Sequence, residues 1–493
     1  MFSGLMEGVS YPTIAGILLF ASILVVAIRR RYFSSISDIP GPFLASFSVL
    51  WEVWSIIGGR IEFKTIALHE KLGYFVRISH NEVSVSHPEG IRKILLNPIR
   101  KADWYKVMAL PDHRFQTPMS EVDPKIRVER ARNVAAAYSL SHIIKFEPYV
   151  DGAISLLSKR LGELAAGGKP VEFDKWFNYM AFDVIGEVTF SNAFGFLESG
   201  KDLGGSIANS RVLTLYVTIA GFFYSLHKHT LGNPIVNKLN LMPQQHIFDT
   251  TKRAIQIRQK NPDVRNDMLS VWLQQLKEYP DRFKENDMYG VVNATVGAGA
   301  DTVSASLQAF FYYMLRSPAS FQRCREEIDE AQTEKDRPVP YNVARQLPYL
   351  QACLKETWRL HTPVALGLAR VVPKEGLTIG GRFFEPGTKL SIHQWVIHRS
   401  KEFFGEDASE FNPSRWLEPR GQAMEQYYIP FGAGYNSCPG RNLAMLEVSK
   451  AASTLVRDFD IRQVDPKQSW TYECHFTAVP YGWPCYVTRR ETS

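Results

Sequence analysis

Tyr11 to Ile28 is almost wholly apolar, and Arg29, Arg30 and Arg31 follow at once. A helix over this run spans about 27 Å, close to the hydrocarbon thickness of the endoplasmic reticulum bilayer. A cleaved signal peptide carries its basic residues before the apolar run. Here only Glu7 precedes it and the arginines come after. The pattern predicts a single-pass membrane anchor over 1–31, with the remainder of the chain cytosolic by the positive-inside rule. Pro40-Gly41-Pro42 marks 32–45 as a stiff hinge, because each proline fixes its own φ and blocks a helix. Beyond it, helical spacing predicts helices over Ile143–Ala166, Met288–Arg316, Pro318–Lys335, Tyr349–His361 and Asn442–Leu455. Strands are predicted within Tyr74–Ser86, at Leu368–Val372, and at Leu377–Phe384 with Gly380-Gly381 as the turn. The fold class is mainly α with a smaller β-rich part (α+β), preceded by one transmembrane helix. Residues 46–493 form a single large domain.

Composition narrows the function classes. Of 493 residues, 45% are hydrophobic and 22% charged, which is globular composition and excludes general disorder. A net charge of +7 on so long a chain is a weak basic excess, and nucleic acid is a poor partner for it. Five cysteines, odd in number and without a CxxC pair, are neither a disulfide framework nor a zinc ribbon.

The chemistry concentrates in the last 200 or so residues. Phe431-Gly432-Ala433-Gly434-Tyr435-Asn436-Ser437-Cys438-Pro439-Gly440-Arg441 sets two glycines before a cysteine and one after it. Such a loop turns tightly and lets a flat ligand lie against the backbone. Cys438 falls just ahead of a predicted helix, where free N–H groups favour a thiolate. A thiolate so held suits the axial position of a haem iron. A buried structural cysteine beside a Gly-rich turn is the bland alternative, and it is the reading preferred for Cys324, Cys353, Cys474 and Cys485. In the middle of the Met288–Arg316 helix, Gly297 to Ala300 are all small, and Asp301-Thr302 follow. Thr302 can bond the carbonyl of Ala298 and open the helical ladder beside a groove that admits a planar ligand. A helix crossing lined by small residues has the same pattern.

With these motifs the sequence resembles the cytochrome P450 family, the haem-thiolate monooxygenases. The loop matches the family's Phe-Gly-x-Gly-x-Arg-x-Cys-x-Gly pattern except at Asn436, where the family usually has Arg or His on a haem propionate. The resemblance implies haem b ligated by Cys438, with Phe431, Gly432, Gly434, Asn436, Gly440, Ala298 and Gly299 around it and Arg370 on a propionate. Lys125–Ser139 resembles the helix that supplies a further propionate contact; its best alignment gives Arg127 and Ala131, with Arg130 nearby. Thr302 is implied to organise bound O2, and Asp301 to relay protons. Glu356, Arg359 and Arg415, from Glu356-Thr357-Trp358-Arg359 and Pro413-Ser414-Arg415, are implied to form a structural triad. The motif wording is most similar to fungal, reticulum-anchored members that tailor secondary metabolites.

In that layout Trp104–Met119, Ser210–Phe248, Val364–Leu368 and the segment around Ala478 line an apolar pocket, with Phe222, Val364, Ala365, Leu366 and Ala478 as wall residues. The same stripes also fit ordinary core. An apolar pocket implies a lipophilic small-molecule substrate. No Gly-x-Gly-x-x-Gly opens a helix. Electrons are therefore expected from a separate protein, which the family resemblance implies is an NADPH-cytochrome P450 reductase, with cytochrome b5 as an additional donor, docking where Arg441, Lys450 and Arg457 give positive charge. Two alternatives are a haem-thiolate isomerase or dehydratase working without O2, and a non-catalytic haem-binding protein.

Overall fold

The structure, a computed structural model, describes residues 11–239, 245–260 and 265–490. Residues 1–10 of the predicted anchor, Glu7 among them, lie outside the described residues, as do 240–244 of the Ser210–Phe248 segment and 491–493 at the end of the predicted domain.

The apolar run forms α1 (Tyr11–Tyr32), none of whose side chains is buried. Among the described residues it is the one helix long and apolar enough to cross a membrane. Its basic end is tied to the body. Arg30 Nη1 donates to the Phe47 carbonyl at 2.9 Å, and the buried Arg77 donates through Nη2 to the Arg30 carbonyl at 2.7 Å. The Pro40 carbonyl accepts from Arg77 N at 2.8 Å. The proline-rich segment is thus docked on the first strand as well as stiff.

Strands β1 (Phe75–Ser79) and β2 (Glu82–Val85) form an antiparallel hairpin. The helical body follows with α2 (Pro124–Ala135), α3 (Glu147–Ala166), α4 (Phe173–Phe190), α5 (Ser206–Phe222), α6 (Glu285–Arg316) and α7 (Pro348–Leu360). Strands β3 (Arg370–Val371) and β4 (Lys389–Ser391) complete a four-stranded sheet in the order β1-β2-β4-β3, with β2 and β4 parallel. Arg441–Asp458 forms α8. The small sheet beside a large helical body matches the expected class.

Element edges differ from the periodic reading for local reasons. The segment predicted as one helix from Ile143 begins as a regular helix only at Glu147, with Pro148 in its first turn, where a missing N–H costs nothing. Ile144–Phe146 before it is a tighter 3₁₀ turn. The helix from Pro318 ends at Glu330 rather than Lys335, and Gln332 then takes a left-handed φ of 47°. Gly380 and Gly381 adopt φ of 55° and 77° in the predicted turn.

Helix α6 runs through the main core and packs along α4, with α7 and α8 on its other sides. Phe173, Phe177 and Phe311 stack across the α4–α6 contact with centroids 4.8–5.8 Å apart. Gly299 serves this crossing: a Cβ there would stand 3.0 Å from Ile185 Cδ1 on α4. Gly297, by contrast, has open space where a Cβ would be.

Candidate active site

The loop ahead of α8 is held by its own backbone. Cys438 N donates to the Phe431 carbonyl at 2.8 Å. Gly432 and Gly434 take φ of 70° and 64°, and a Cβ on Gly434 would come within 2.5 Å of the Leu95 carbonyl oxygen. Any side chain at 434 therefore pushes the loop off its support. Cys438 is exposed, but to an interior cavity of about 890 Å³ whose wall it forms. Burial pushes its thiol up from the ordinary value, and backbone N–H groups of Gly440 and Arg441 oppose that rise. The helix-end effect read from the sequence is present, yet desolvation outweighs it. The other four cysteines are buried and lie outside the cavity lining.

Helix α6 forms another wall of the same cavity. Thr302 Oγ1 donates to the Ala298 carbonyl at 2.8 Å, the back-bond expected from the sequence. Asp301 is buried, and its Oδ2 accepts from Ser210 Oγ on α5 at 3.0 Å. Burial raises the Asp301 carboxyl above its usual range, with Ser210 and Arg211 pulling weakly the other way. The sequence placed Ser210 in a pocket-lining segment but held no sign of its pairing with Asp301, which joins positions far apart in the chain.

Part of the cavity lining is cationic. Lys101, Arg127 and Arg370 all line it, and Lys101 and Arg370 bridge backbone to backbone. Arg127 Nε, Arg370 Nε and Asn436 Nδ2 are buried with no hydrogen-bond partner. Lys101 donates to the carbonyls of Pro118 and Met119 at 2.9 and 2.6 Å. Burial first, and then the charges of Arg370 and Arg127, push its amine down to about 6. Glu121, the acid whose field reaches Lys101, is itself bonded to Arg130 at 3.3 Å. Arg130 also binds Asp287 at 2.6 Å. Of the two arginines weighed on α2, Arg127 thus faces the cavity and Arg130 is occupied elsewhere.

The charged trio meets in the core. Glu356 Oε1 accepts from Arg359 Nη2 at 2.8 Å and from Arg415 Nε at 3.0 Å, and all three side chains are fully buried. Trp416 Nε1 donates to Glu356 Oε2 at 2.9 Å. Asp407, which the sequence reading passed over, binds Arg415 at 2.9 Å. Next to Arg359 on α7, Trp358 donates through Nε1 to Ser306 on α6 at 2.8 Å, tying the trio's helix to the helix of Thr302.

Phe222, Val364 and Leu366 line the cavity. Ala365 and Ala478 stand behind the wall: Ala365 N donates to the Phe476 carbonyl at 3.1 Å, and Ala478 N to the Pro363 carbonyl at 2.8 Å. Their role is to hold Val364 and Phe476–Thr477, which do face the cavity. Trp104 stacks on Phe476 at 5.7 Å and donates to the Thr218 carbonyl at 2.9 Å, closing the space between α5 and the C-terminal segment. Glu447 on α8 is a further lining residue missed from sequence, and burial holds its carboxyl well above the usual range.

The basic face read from sequence behind Cys438 is smaller than expected. Lys450 is fully buried and bound to Glu147 and Asp151 at 2.6 and 2.8 Å. Arg457 is buried and bound to Asp458 at 2.6 Å. Both are drawn inward by partners, Lys450 by α3 and Arg457 by Thr333 and the carbonyls of Glu334 and Arg337, leaving Arg441 as the exposed cation of the three.

A sequence-family model described as Cytochrome P450 matches residues 40–480. Curated relatives are similar over nearly their whole lengths. A cytochrome P450 monooxygenase, gsfF, of Penicillium aethiopicum is 32% identical, over 93% of this chain and 95% of the relative. A pisatin demethylase of Fusarium vanettenii is 31% identical, over 95% and 92%. A cytochrome P450 monooxygenase, cicH, of Emericella nidulans is 32% identical, over 94% and 96%.

Proposed function

Since this chain belongs to the cytochrome P450 family and is a monooxygenase, we propose that it inserts one atom of O2 into a lipophilic intermediate of fungal secondary metabolism, with haem b ligated by Cys438 and electrons from a separate NADPH-dependent reductase. The observation that carries this reading is one cavity bounded by the Cys438 loop, the α6 turn where Thr302 bonds back to Ala298, and a basic rim with unpartnered donor atoms. The rim fits the carboxylates of haem: burial and the charges of Arg370 and Arg127 disfavour the charged form of Lys101, which an anion beside them would restore, and three buried donor atoms lack partners. Lys101, Arg127, Arg370 and Asn436 would hold those carboxylates, so that the neutral amide at 436 is offset by the lysine and arginines beside it. When bound, haem supplies the iron at which O2 is activated.

The chain's own groups do the rest. The Gly440 and Arg441 amides hold the Cys438 sulfur. Thr302 spends its proton on Ala298 and presents its oxygen lone pairs to the cavity, where they can hold a donor in place. Asp301 keeps a proton more readily than an ordinary carboxylic acid and passes it through Ser210 or inward past Thr302. Leu213, Val217, Phe222, Val364 and Leu366 exclude water, so protons arrive by the side chains. Few polar groups interrupt these walls, which suits a largely neutral substrate.

Thr302→Ala is expected to lower product formed per NADPH on the order of tenfold while NADPH is still consumed, the balance appearing as hydrogen peroxide. Unchanged coupling in paired NADPH and product assays contradicts its role. Lys101→Met is expected to speed haem loss about tenfold, one charge-assisted hydrogen bond being removed. Haem transfer to a scavenger protein measures this, and an unaltered rate excludes Lys101 from the carboxylate site. Helix α1, long and apolar enough to span a bilayer, supports reading the protein as anchored in the endoplasmic reticulum membrane with its catalytic domain in the cytosol, and exposed Arg441 beside the Cys438 loop supports docking of an acidic reductase, or cytochrome b5, on that side.

A further inference from the structure

A second cleft, of about 200 Å³, shares no lining residue with the catalytic cavity. It lies between the first strand-and-helix region and the C-terminal hairpin, past the end of α7. Its walls are rings. Trp470 stacks on Tyr312 at 3.8 Å, and His361 meets Trp470 at 4.9 Å and Trp395 at 5.3 Å.

Two guanidiniums border the cleft. Arg60 lies over the Tyr472 ring at 4.8 Å, and Arg399 over the Trp395 ring at 4.5 Å. Neither makes a direct ion pair among the described residues. Arg399 Nη2 donates to the Leu360 carbonyl at 2.5 Å, and its Nη1 is buried without a partner. Glu62 stands behind the wall, its charge acting on both arginines, and burial holds its carboxyl above the usual range.

The Tyr472 hydroxyl on this wall faces the Glu62 carboxyl. His361, fully buried, leaves one ring nitrogen unpartnered. His361 Nε2 lies 2.8 Å from the Ala478 carbonyl, so Nε2 carries the proton and Nδ1 is left as a free acceptor. Burial holds the imidazole neutral, its value pushed down to about 4. The cleft therefore offers flat apolar walls, two cations set against a single buried acid, an unpartnered guanidinium nitrogen and one ring-nitrogen acceptor. At ~30 Å³ per water, its volume equals roughly six or seven waters, which admits a single ring with small substituents.

We propose that this cleft binds a single-ring aromatic carboxylate carrying a hydroxyl group, with the carboxylate between Arg60 and Arg399, the ring against Trp470 and Trp395, and the hydroxyl donating to His361 Nδ1. An occupant there is one side chain away from the catalytic cavity. The opposite nitrogen of His361 holds Ala478, and Thr477 beside it lines that cavity and bridges to Val364.

The test is calorimetric titration of the full-length, haem-loaded protein with 4-hydroxybenzoate, benzoate and 4-hydroxybenzyl alcohol, with the iron absorbance recorded in parallel. Saturable one-to-one binding of 4-hydroxybenzoate is expected, weakened on the order of tenfold when either the carboxylate or the hydroxyl is missing. Arg60→Gln, at an exposed position where folding is not at risk, is expected to weaken it at least tenfold and leave the iron spectrum of the free protein unchanged. Absence of saturable heat overturns the proposal, as does equal affinity in Arg60→Gln. A spectral change at the iron that persists in that variant also overturns it, because it puts the ligand in the catalytic cavity. None of these results bears on haem binding, which the resting spectrum reports separately.

Discussion

Glu356→Ala is expected to yield almost no folded, haem-loaded protein. The substitution leaves Arg359 and Arg415 side by side, both fully buried, with their shared carboxylate gone. Breaking a buried charge cluster in this way costs about 3–5 kcal/mol. That is a large part of the ~5–15 kcal/mol that stabilises a typical domain. The loss spreads, because Glu356 also accepts from Trp416 Nε1 and from the Asn412 amide, and so fixes the segment leading towards the Cys438 loop. Glu356→Gln keeps the shape and one acceptor and is expected to fall between the two. Holoprotein yield and thermal unfolding of the three proteins measure the effect. Wild-type yield and stability in Glu356→Ala contradict the structural role given to the trio.

Cys438→Ala is expected to fold and to lose its chemistry. The loop's geometry depends on a backbone bond from residue 438 to Phe431 and on the positive φ of Gly432 and Gly434, all of which alanine preserves. The lost group is one cavity-facing sulfur, so the stability change should stay within about 1–2 kcal/mol. Haem, if retained through Lys101, Arg127 and Arg370, then lacks its thiolate, and NADPH-linked turnover falls to background. Circular dichroism separates this outcome from unfolding. Thiolate-like turnover in the variant contradicts the ligand assignment.

The parts of the fold legible in sequence were those written in local patterns. The apolar run of α1, the 3.6-residue periodicity of α6 and α7, and the glycine-cysteine loop each declare themselves within a short stretch. What the sequence concealed is pairing across the fold. Ser210 on Asp301 and the convergence of Lys101, Arg127 and Arg370 join residues tens to hundreds of positions apart, and Asp407 meets Arg415 across an irregular eight-residue stretch with no periodicity to mark it. Lys450 and Arg457 show the converse error. Charge in a sequence suggests surface, but both are buried on α8 because Glu147, Asp151 and Asp458 are there to meet them. The small residues Gly297 to Ala300 serve both meanings the sequence allowed: Gly297, Ala298 and Gly299 line the cavity, and Gly299 also packs against Ile185. The rise of the Cys438 thiol was likewise hidden, since desolvation depends on what surrounds the loop rather than on the helix that follows it. A haem iron bound at this sulfur would favour the thiolate, and the Gly440 and Arg441 amides would hold the resulting charge.

The account rests on that sulfur. The direct measurement is the carbon monoxide difference spectrum of the purified chain, reconstituted with hemin and reduced with dithionite, recorded beside Cys438→Ala. A thiolate-type carbonyl band in the native chain that is absent from the variant is the predicted result. A folded native chain that stays colourless, or gives an imidazole-type band unchanged by the substitution, contradicts it.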